Sequence, residues 1–366
     1  METKKKEIVE EFLKLGKLLT PAALDFIANS KNYKKLFEVV REVEDLVVDL
    51  EDLTSFETEE EKVKIILNIP RWPKEVSIQD FAKYVRDRYE KMKRIITSRV
   101  NLEFRSLANL PEGESYCIGM VRELRESGGK VEVYFEDPTG SRVIIFDENP
   151  DLSADDVVAV KCVRRGEVVY GKEVIFPDVP LREPRRGYGK VCILGDLHLD
   201  EAPLEPLKKF FDWLRKTEIR FILVTGDIGD YGKFLEFLPD DKTFFLIPGE
   251  IDEKIYPRPA PSLNQDSVVP LSDPAMLEIN GLKFLLIHDF NIEMLKKRCL
   301  GKAEKIYERD YLVLEEVPDI VACGHTHEAN YFNFKSITIV NPGSLLTEFR
   351  PTVIDLKTRE VTQLRF

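Results

Sequence analysis

KVCILGDLH (190–198), FILVTGD (221–227), FFLIPGE (244–250), KFLLIHD (283–289), DIVACGHTH (319–327) and SITIVNPGS (336–344) share one arrangement, an apolar run ending in polar residues or a turn. In open α/β sheets, functional groups gather beyond the carboxyl ends of strands. Six strands that each deliver polar residues there predict an α/β domain with one shared site.

The residues delivered are Asp196 and His198 in GDLH, Asp227 after Gly226, Glu250 after Gly249, His288 at a strand end, and His325 and His327 flanking Thr326. A lone residue of this kind reads more simply as a core histidine or a helix-capping aspartate. Seven together, including all 4 histidines of the chain, read as a metal site. A two-metal hydrolase needs a carboxylate to bridge the ions and imidazoles and carboxylates to complete each shell, and this set supplies them. The expected cofactor is two divalent metal ions, Mn²⁺ first among Mn²⁺, Fe²⁺, Zn²⁺ and Mg²⁺.

Upstream the period changes. YCIGMVREL, KVEVYFED and SRVIIFDE alternate apolar and polar residues and are separated by Ser127-Gly128-Gly129 and Asp137-Pro138-Thr139-Gly140, which predicts hairpin strands. DVVAVKCVRRG and EVVYGKEVIF continue the alternation, so a small barrel of oligonucleotide-binding (OB) type is expected over 100–185. Such a barrel serves equally to bind single-stranded nucleic acid or to dock another protein. Before it, Ile78–Arg99 carries Phe81, Val85, Met92, Ile95 and Ile96 at helical spacing, with Arg86, Arg88, Lys91, Lys93 and Arg94 mostly on the other face. This predicts an amphipathic basic helix whose charged face is solvated or touches phosphates. Thr54–Lys62 is acid-rich and reads as a linker, whereas Thr20-Pro21 and the run from Tyr33 to Leu50 read as helical.

At 366 residues the chain has room for two or three domains of roughly 100–200 residues each. A net charge of −12 argues against a protein that grips nucleic acid with its whole surface, so any polyanion contact is local. The five cysteines, Cys117, Cys162, Cys192, Cys299 and Cys323, include no CxxC pair and suggest neither a disulfide framework nor a thiolate metal site. No run of about 18 apolar residues is present, and the start, METKKKEIVEEFLKLGKLL, is charged where a signal peptide is apolar. A cytoplasmic protein with no membrane partner is expected.

From Lys190 to Phe366 the motifs D-x-H, G-D, a lone H and G-H-x-H resemble those of the calcineurin-like metallophosphoesterases. The resemblance implies one ion on Asp196, His198, Asp227 and His327 and another on Asp227, Glu250, His288 and His325. The third motif departs: where the family has G-N-H-D, this chain has Gly249-Glu250-Ile251-Asp252. A carboxylate replaces the amide ligand, Ile251 stands in place of the phosphate-contacting histidine that is the family's proposed general acid, and Asp252 is left as the candidate catalytic residue.

SIQDFAKYVRDRYEKMKRIITSR, CIGMVRELRESGGKVEVYFEDPTG, EVIFPDVPLREP and ERDYLVLEEVPDIVACGHTH extend the resemblance to the small subunit of archaeal family-D DNA polymerase. That family implies a large catalytic polymerase subunit as partner, and a 3′→5′ exonuclease acting on single-stranded or mismatched DNA 3′ ends. The stretches between Asp227 and Glu250 and between His288 and His325 are shorter than is usual in that family. The architecture expected is a multidomain α+β chain: a helical N-terminal module (1–55), a linker with the amphipathic basic helix (56–99), the OB-fold barrel (100–185) and a calcineurin-like α/β metallophosphoesterase domain (186–366). Two other readings compete, a catalytically degenerate structural subunit and a free-standing metal-dependent phosphodiesterase, the latter favoured by GHTH and NPGS.

Overall fold

Each apolar run of the C-terminal half alternates its side chains between two cores, as a strand with both faces covered must. Val191, Ile193, Phe221, Leu223, Phe245 and Ile247 face a central core, while Cys192, Leu194, Ile222, Val224, Phe244 and Leu246 face an outer one. The outer core is closed by the helix Glu205–Leu214, whose Leu207, Phe210, Phe211 and Leu214 form one buried stripe. The central core is completed by a second sheet, through Leu277, Ile279, Leu282, Phe284, Leu286, Ile320, Ala322 and Val340. The far side of that sheet packs on Leu295, Leu300, Tyr307, Leu312 and Leu314.

This architecture is that of a computed structural model, in which residues 2–29, 40, 46–50, 62–73 and 75–366 are described. The chain divides into two units, Met1–Lys62 and Val63–Phe366. In the larger unit the first sheet runs in the order Val268–Pro270, Thr243–Ile247, Phe221–Thr225, Lys190–Leu194, Thr352–Asp355, Val361–Gln363. Its first four strands are parallel, so the GDLH, GD and GE turns emerge at one end. The second sheet runs Ala329–Phe334, Ile337–Pro342, Ile320–Ala322, Leu282–Leu286, Ala275–Ile279, Val63–Asn68. Its three parallel strands likewise carry His288, GHTH and NPGS at their carboxyl ends. Val63–Asn68 lies far upstream in sequence yet supplies this sheet's edge by pairing antiparallel with Ala275–Ile279.

The helix Ile78–Arg99 starts at a capping box, in which the Ser77 hydroxyl accepts from the Asp80 amide and the Asp80 carboxylate accepts from the Ser77 amide. Tyr89, Met92 and Ile96 pack on Ile118, Met120, Val157 and Ala159 of the barrel. Its charged residues correct the expectation of a single solvated or phosphate-facing side. Arg88 is buried and pairs through Nε with the fully buried Asp310 carboxylate, and Lys91 Nζ donates to the Asp310 carbonyl at 2.6 Å. Helical spacing places Arg88 with the exposed cations because a sequence does not display a carboxylate partner 222 residues away. Asp310→Ala would leave that guanidinium buried and unpaired, and is expected to cost about 3–5 kcal/mol of stability. Urea unfolding of the full chain reads this directly, and an unshifted midpoint would contradict it.

Gly113–Ser127, Lys130–Asp137, Gly140–Phe146, Val168–Ile175 and Val157–Arg165 pair in that order, and the last strand pairs back onto the first to close a five-stranded barrel. Val121, Val133, Phe135, Ile144, Phe146, Val160 and Val169 fill it. The backbone passes so close to this core at Gly171 that a Cβ there would stand 2.2 Å from the Phe146 ring. All five cysteines are free, four of them buried.

In the N-terminal unit, Pro21–Asn29 is a helix whose cap is Thr20, the hydroxyl accepting from the Ala23 amide at 3.3 Å. Glu2–Lys14 is also helical, and Ile8, Phe12, Ala23 and Ile27 share a small core. The expected run from Tyr33 to Leu50 falls mostly outside the described residues, as does nearly all of Thr54–Lys62. Its described part corrects the helical expectation at Val47–Val48, which pair as a parallel strand with Leu18–Leu19. β-branched residues suit this pleated pairing better than a helix. Among the described residues no helix is long and apolar enough to cross a membrane.

Candidate metal centre

Asp196, His198, Asp227, His325 and His327 all have positive φ, between 44° and 70°. Left-handed backbone at a non-glycine residue costs of order 1–3 kcal/mol and persists where surrounding structure imposes it, most often at functional sites. Aspartate and histidine tolerate it better than most residues, and here it turns five side chains of successive strand-end loops toward one another.

Asp196, His198, Asp227 and His327 offer ligand atoms that all lie within 4.8 Å of one another. His198 Nε2 and His327 Nε2 face each other at 3.0 Å, and His198 Nε2 is 3.8 Å from Asp227 Oδ2. His288 joins them from beneath, fully buried, its Nε2 3.4 Å from Asp227 Oδ2. His288 Nδ1 donates to the Thr225 carbonyl at 2.9 Å, which in the neutral ring leaves the lone pair on Nε2. That Nε2 has no hydrogen-bond partner among the described residues.

Glu250 falls in a second group, with His325 and Asp289, rather than with Asp227 and His288. Its Oε1 lies 3.9 Å from His325 Nδ1 and 3.4 Å from the Arg258 guanidinium. Arg258 is itself anchored to the buried Asp273 at 2.6 Å, and Asp273 accepts from the His288 amide at 3.0 Å. Asp289 and Arg258 are the residues that the motif pattern does not single out. Asp289 had a signal, since it follows His288 directly at a strand end; Arg258 sits among prolines and had none.

The electrostatics describe a pocket short of positive charge. Burial raises the Asp196 carboxyl to about 7, against the opposing pull of His288 and of the His325 amide. Burial also acts to raise Asp227, but the adjacent His288 ring prevails and holds it at about 2. His288 responds in kind: burial would lower it, yet Asp227 and Asp196 raise it to about 9. Burial, with His198 beside it, lowers His327. Clustered carboxylates, facing imidazole nitrogens and an orphaned buried Nε2 fit a divalent cation, which would answer all three at once.

The loops are braced from behind. Asp252 points away from the convergent atoms, its carboxylate accepting from the Ile228, Gly229 and Gly249 amides at 3.1, 3.0 and 2.8 Å. Asn341 of NPGS donates to the Gly324 carbonyl at 2.8 Å and to Thr326 Oγ1 at 2.9 Å, while the Ser344 hydroxyl donates to the Asp196 carbonyl at 3.0 Å. Gly249 admits the close packing, because a Cβ there would stand 2.1 Å from Asp227 Oδ1. Ile251 is half exposed at the rim, and its amide donates to Asp227 Oδ1 at 3.1 Å.

Two packed sheets with this cluster at their carboxyl ends define a class: residues 190–359 match the calcineurin-like phosphoesterase superfamily domain. The likeness to individual proteins runs further along the chain. It is similar to the DNA polymerase II small subunit of Archaeoglobus fulgidus, at 27% identity over 76% of this chain and 73% of that protein. The same subunit of Methanothermobacter thermautotrophicus is 22% identical over 75% of this chain and 74% of its own length. Among solved structures, an archaeal phosphodiesterase aligns over 49% of this chain and 100% of its own, with 17% identity and a TM-score of 0.37.

Proposed function

We propose that this chain is the small subunit of an archaeal family-D DNA polymerase and carries a two-metal phosphodiesterase site of 3′→5′ exonuclease type, weakened in its third motif. The observation that carries the reading is the convergence of strand-end loops from both sheets on Asp196, His198, Asp227, His288 and His327. Asp196, His198, Asp227 and His327 would hold one ion, and Asp227, Glu250, His288 and His325 would contribute to the second. When bound, divalent ions polarise a phosphodiester and supply a nucleophile from water at neutral pH. Asp252 acts as a positioning residue, holding the Ile228, Gly229 and Gly249 amides in place behind Asp227. No proton donor occupies the Ile251 position, and loss of a positioned acid typically costs ~10²–10⁴-fold. The half-exposed Ile251 also favours a second reading, a subunit whose site is no longer used for catalysis.

Upstream, the closed strand order supports an OB-type barrel, preceded by the helix Ile78–Arg99. A similarity spanning 76% of the chain cannot be confined to residues 190–359, so the preserved features include the region before the phosphoesterase domain. Docking to a large polymerase subunit is therefore expected to be retained. Co-expression should give one heteromeric peak by size-exclusion chromatography, and separate monomers would contradict this. The activity is tested by Mn²⁺-dependent release of nucleotides from 3′-labelled single-stranded DNA, with and without the large subunit. Slow metal-dependent release supports the nuclease; metal binding with no release in either state supports the structural subunit.

A further inference from the structure

We propose that Asp289 is a ligand of the second cation, which makes that position oxygen-rich and suited to a hard divalent ion such as Mn²⁺ or Mg²⁺. The inference rests on the two-metal reading above and assigns a residue outside the motif set. Asp289, Glu250 and His325 bring one ligand atom each to within 4.8 Å of one another. Among the described residues Asp289 makes no hydrogen bond and no ion pair. Two exposed carboxylates held this close repel unless a cation lies between them. Arg258 does not fill that role for both: it reaches Glu250 at 3.4 Å, while its charge is answered by Asp273 at 2.6 Å.

The two groups adjoin: the ring of His288, adjacent to Asp289 in sequence, lies 5.5 Å from that of His325, while its buried Nε2 lies 3.4 Å from Asp227 Oδ2. The two candidate positions then differ in chemistry. His198 and His327 make the first nitrogen-rich, whereas Glu250 and Asp289 make the second richer in carboxylate oxygen, and carboxylate ligands suit Mn²⁺ and Mg²⁺ more than imidazoles do. Asp289 also changes the charge of the whole site, because Asp196, Asp227, Glu250 and Asp289 together cancel two divalent ions. Glu250, Asp289, Arg258, Lys254 and Lys302 line a cleft of about 520 Å³ beside this position, so the second ion would stand where a phosphodiester can approach.

The test is calorimetric titration of the full chain with Mn²⁺, for the wild type, Asp289→Asn and Asp289→Glu, with thermal melts of each metal-free protein as the check on folding. The expected result is two binding events in the wild type, an Asp289→Asn protein that keeps one of them unchanged and weakens the other by at least about 10-fold, and partial recovery in Asp289→Glu. Two unaltered binding events in Asp289→Asn would overturn the role of Asp289 while leaving the two-metal reading intact. A wild-type chain that binds no Mn²⁺ would overturn both.

Discussion

The Asp227→Asn protein is expected to bind Mn²⁺ at least about 10²-fold more weakly than the wild type and to show no measurable phosphodiesterase activity. Changing the outer partners of metal ligands alone costs 10–100-fold, and Asp227 is proposed as a direct ligand to both ions. Its Oδ2 lies 3.8 Å from His198 Nε2 and 3.4 Å from His288 Nε2, so one oxygen stands between two imidazoles from different loops. Asparagine preserves the shape and can still accept from the Ile251 amide, which now reaches Oδ1 at 3.1 Å. Removing the charge, rather than collapsing the loop, is then what the substitution does. Titration calorimetry measures the affinity, and wild-type Mn²⁺ binding by this variant would rule out Asp227 as a bridging ligand.

Nuclease activity in the Glu250→Asn, Ile251→His double variant is expected to exceed that of the wild type by about 10²-fold or more. Asparagine removes one negative charge from the site that must hold a phosphate, while histidine introduces a proton donor beside the leaving oxygen. Ile251 is 51% exposed at the rim, so an imidazole fits there without repacking a core. Arg258 is not orphaned by the change, because it stays paired with Asp273 at 2.6 Å. The two losses act on different parts of one step, and either single substitution is expected to recover less. Release of nucleotides from a 3′-labelled strand measures it. A brisk wild type matched by the double variant would show that Glu250 and Ile251 do not weaken this site.

The strand-end residues were legible because the physics that specifies them is local. An apolar run such as FILVT, with Gly226 permitting a tight turn and Asp227 after it, describes a strand and its functional end within seven residues. The alternation in KVEVYFED and SRVIIFDE was equally direct, since side chains on opposite faces of a strand meet different solvents. What was not legible depends on partners distant in sequence. Arg88 resembles any cation on a helix until Asp310 closes over it, and Glu250 has no visible relation to Arg258 or to Asp289. Asp252 illustrates the same limit: its position in the third motif suggested catalysis, whereas its two oxygens meet three backbone amides. The amphipathic run from Tyr33 to Leu50 takes in Val47–Val48, and their pairing with Leu18–Leu19 is a contact that no local pattern encodes.

The central claim, a site for two divalent ions on the C-terminal domain, is tested most directly by counting them. The purified wild-type chain, loaded with Mn²⁺ and freed of unbound metal, should retain about two ions by elemental analysis, and the Asp227→Asn protein fewer than one. A wild-type content below about one ion per chain, unaltered by Asp227→Asn, would contradict it.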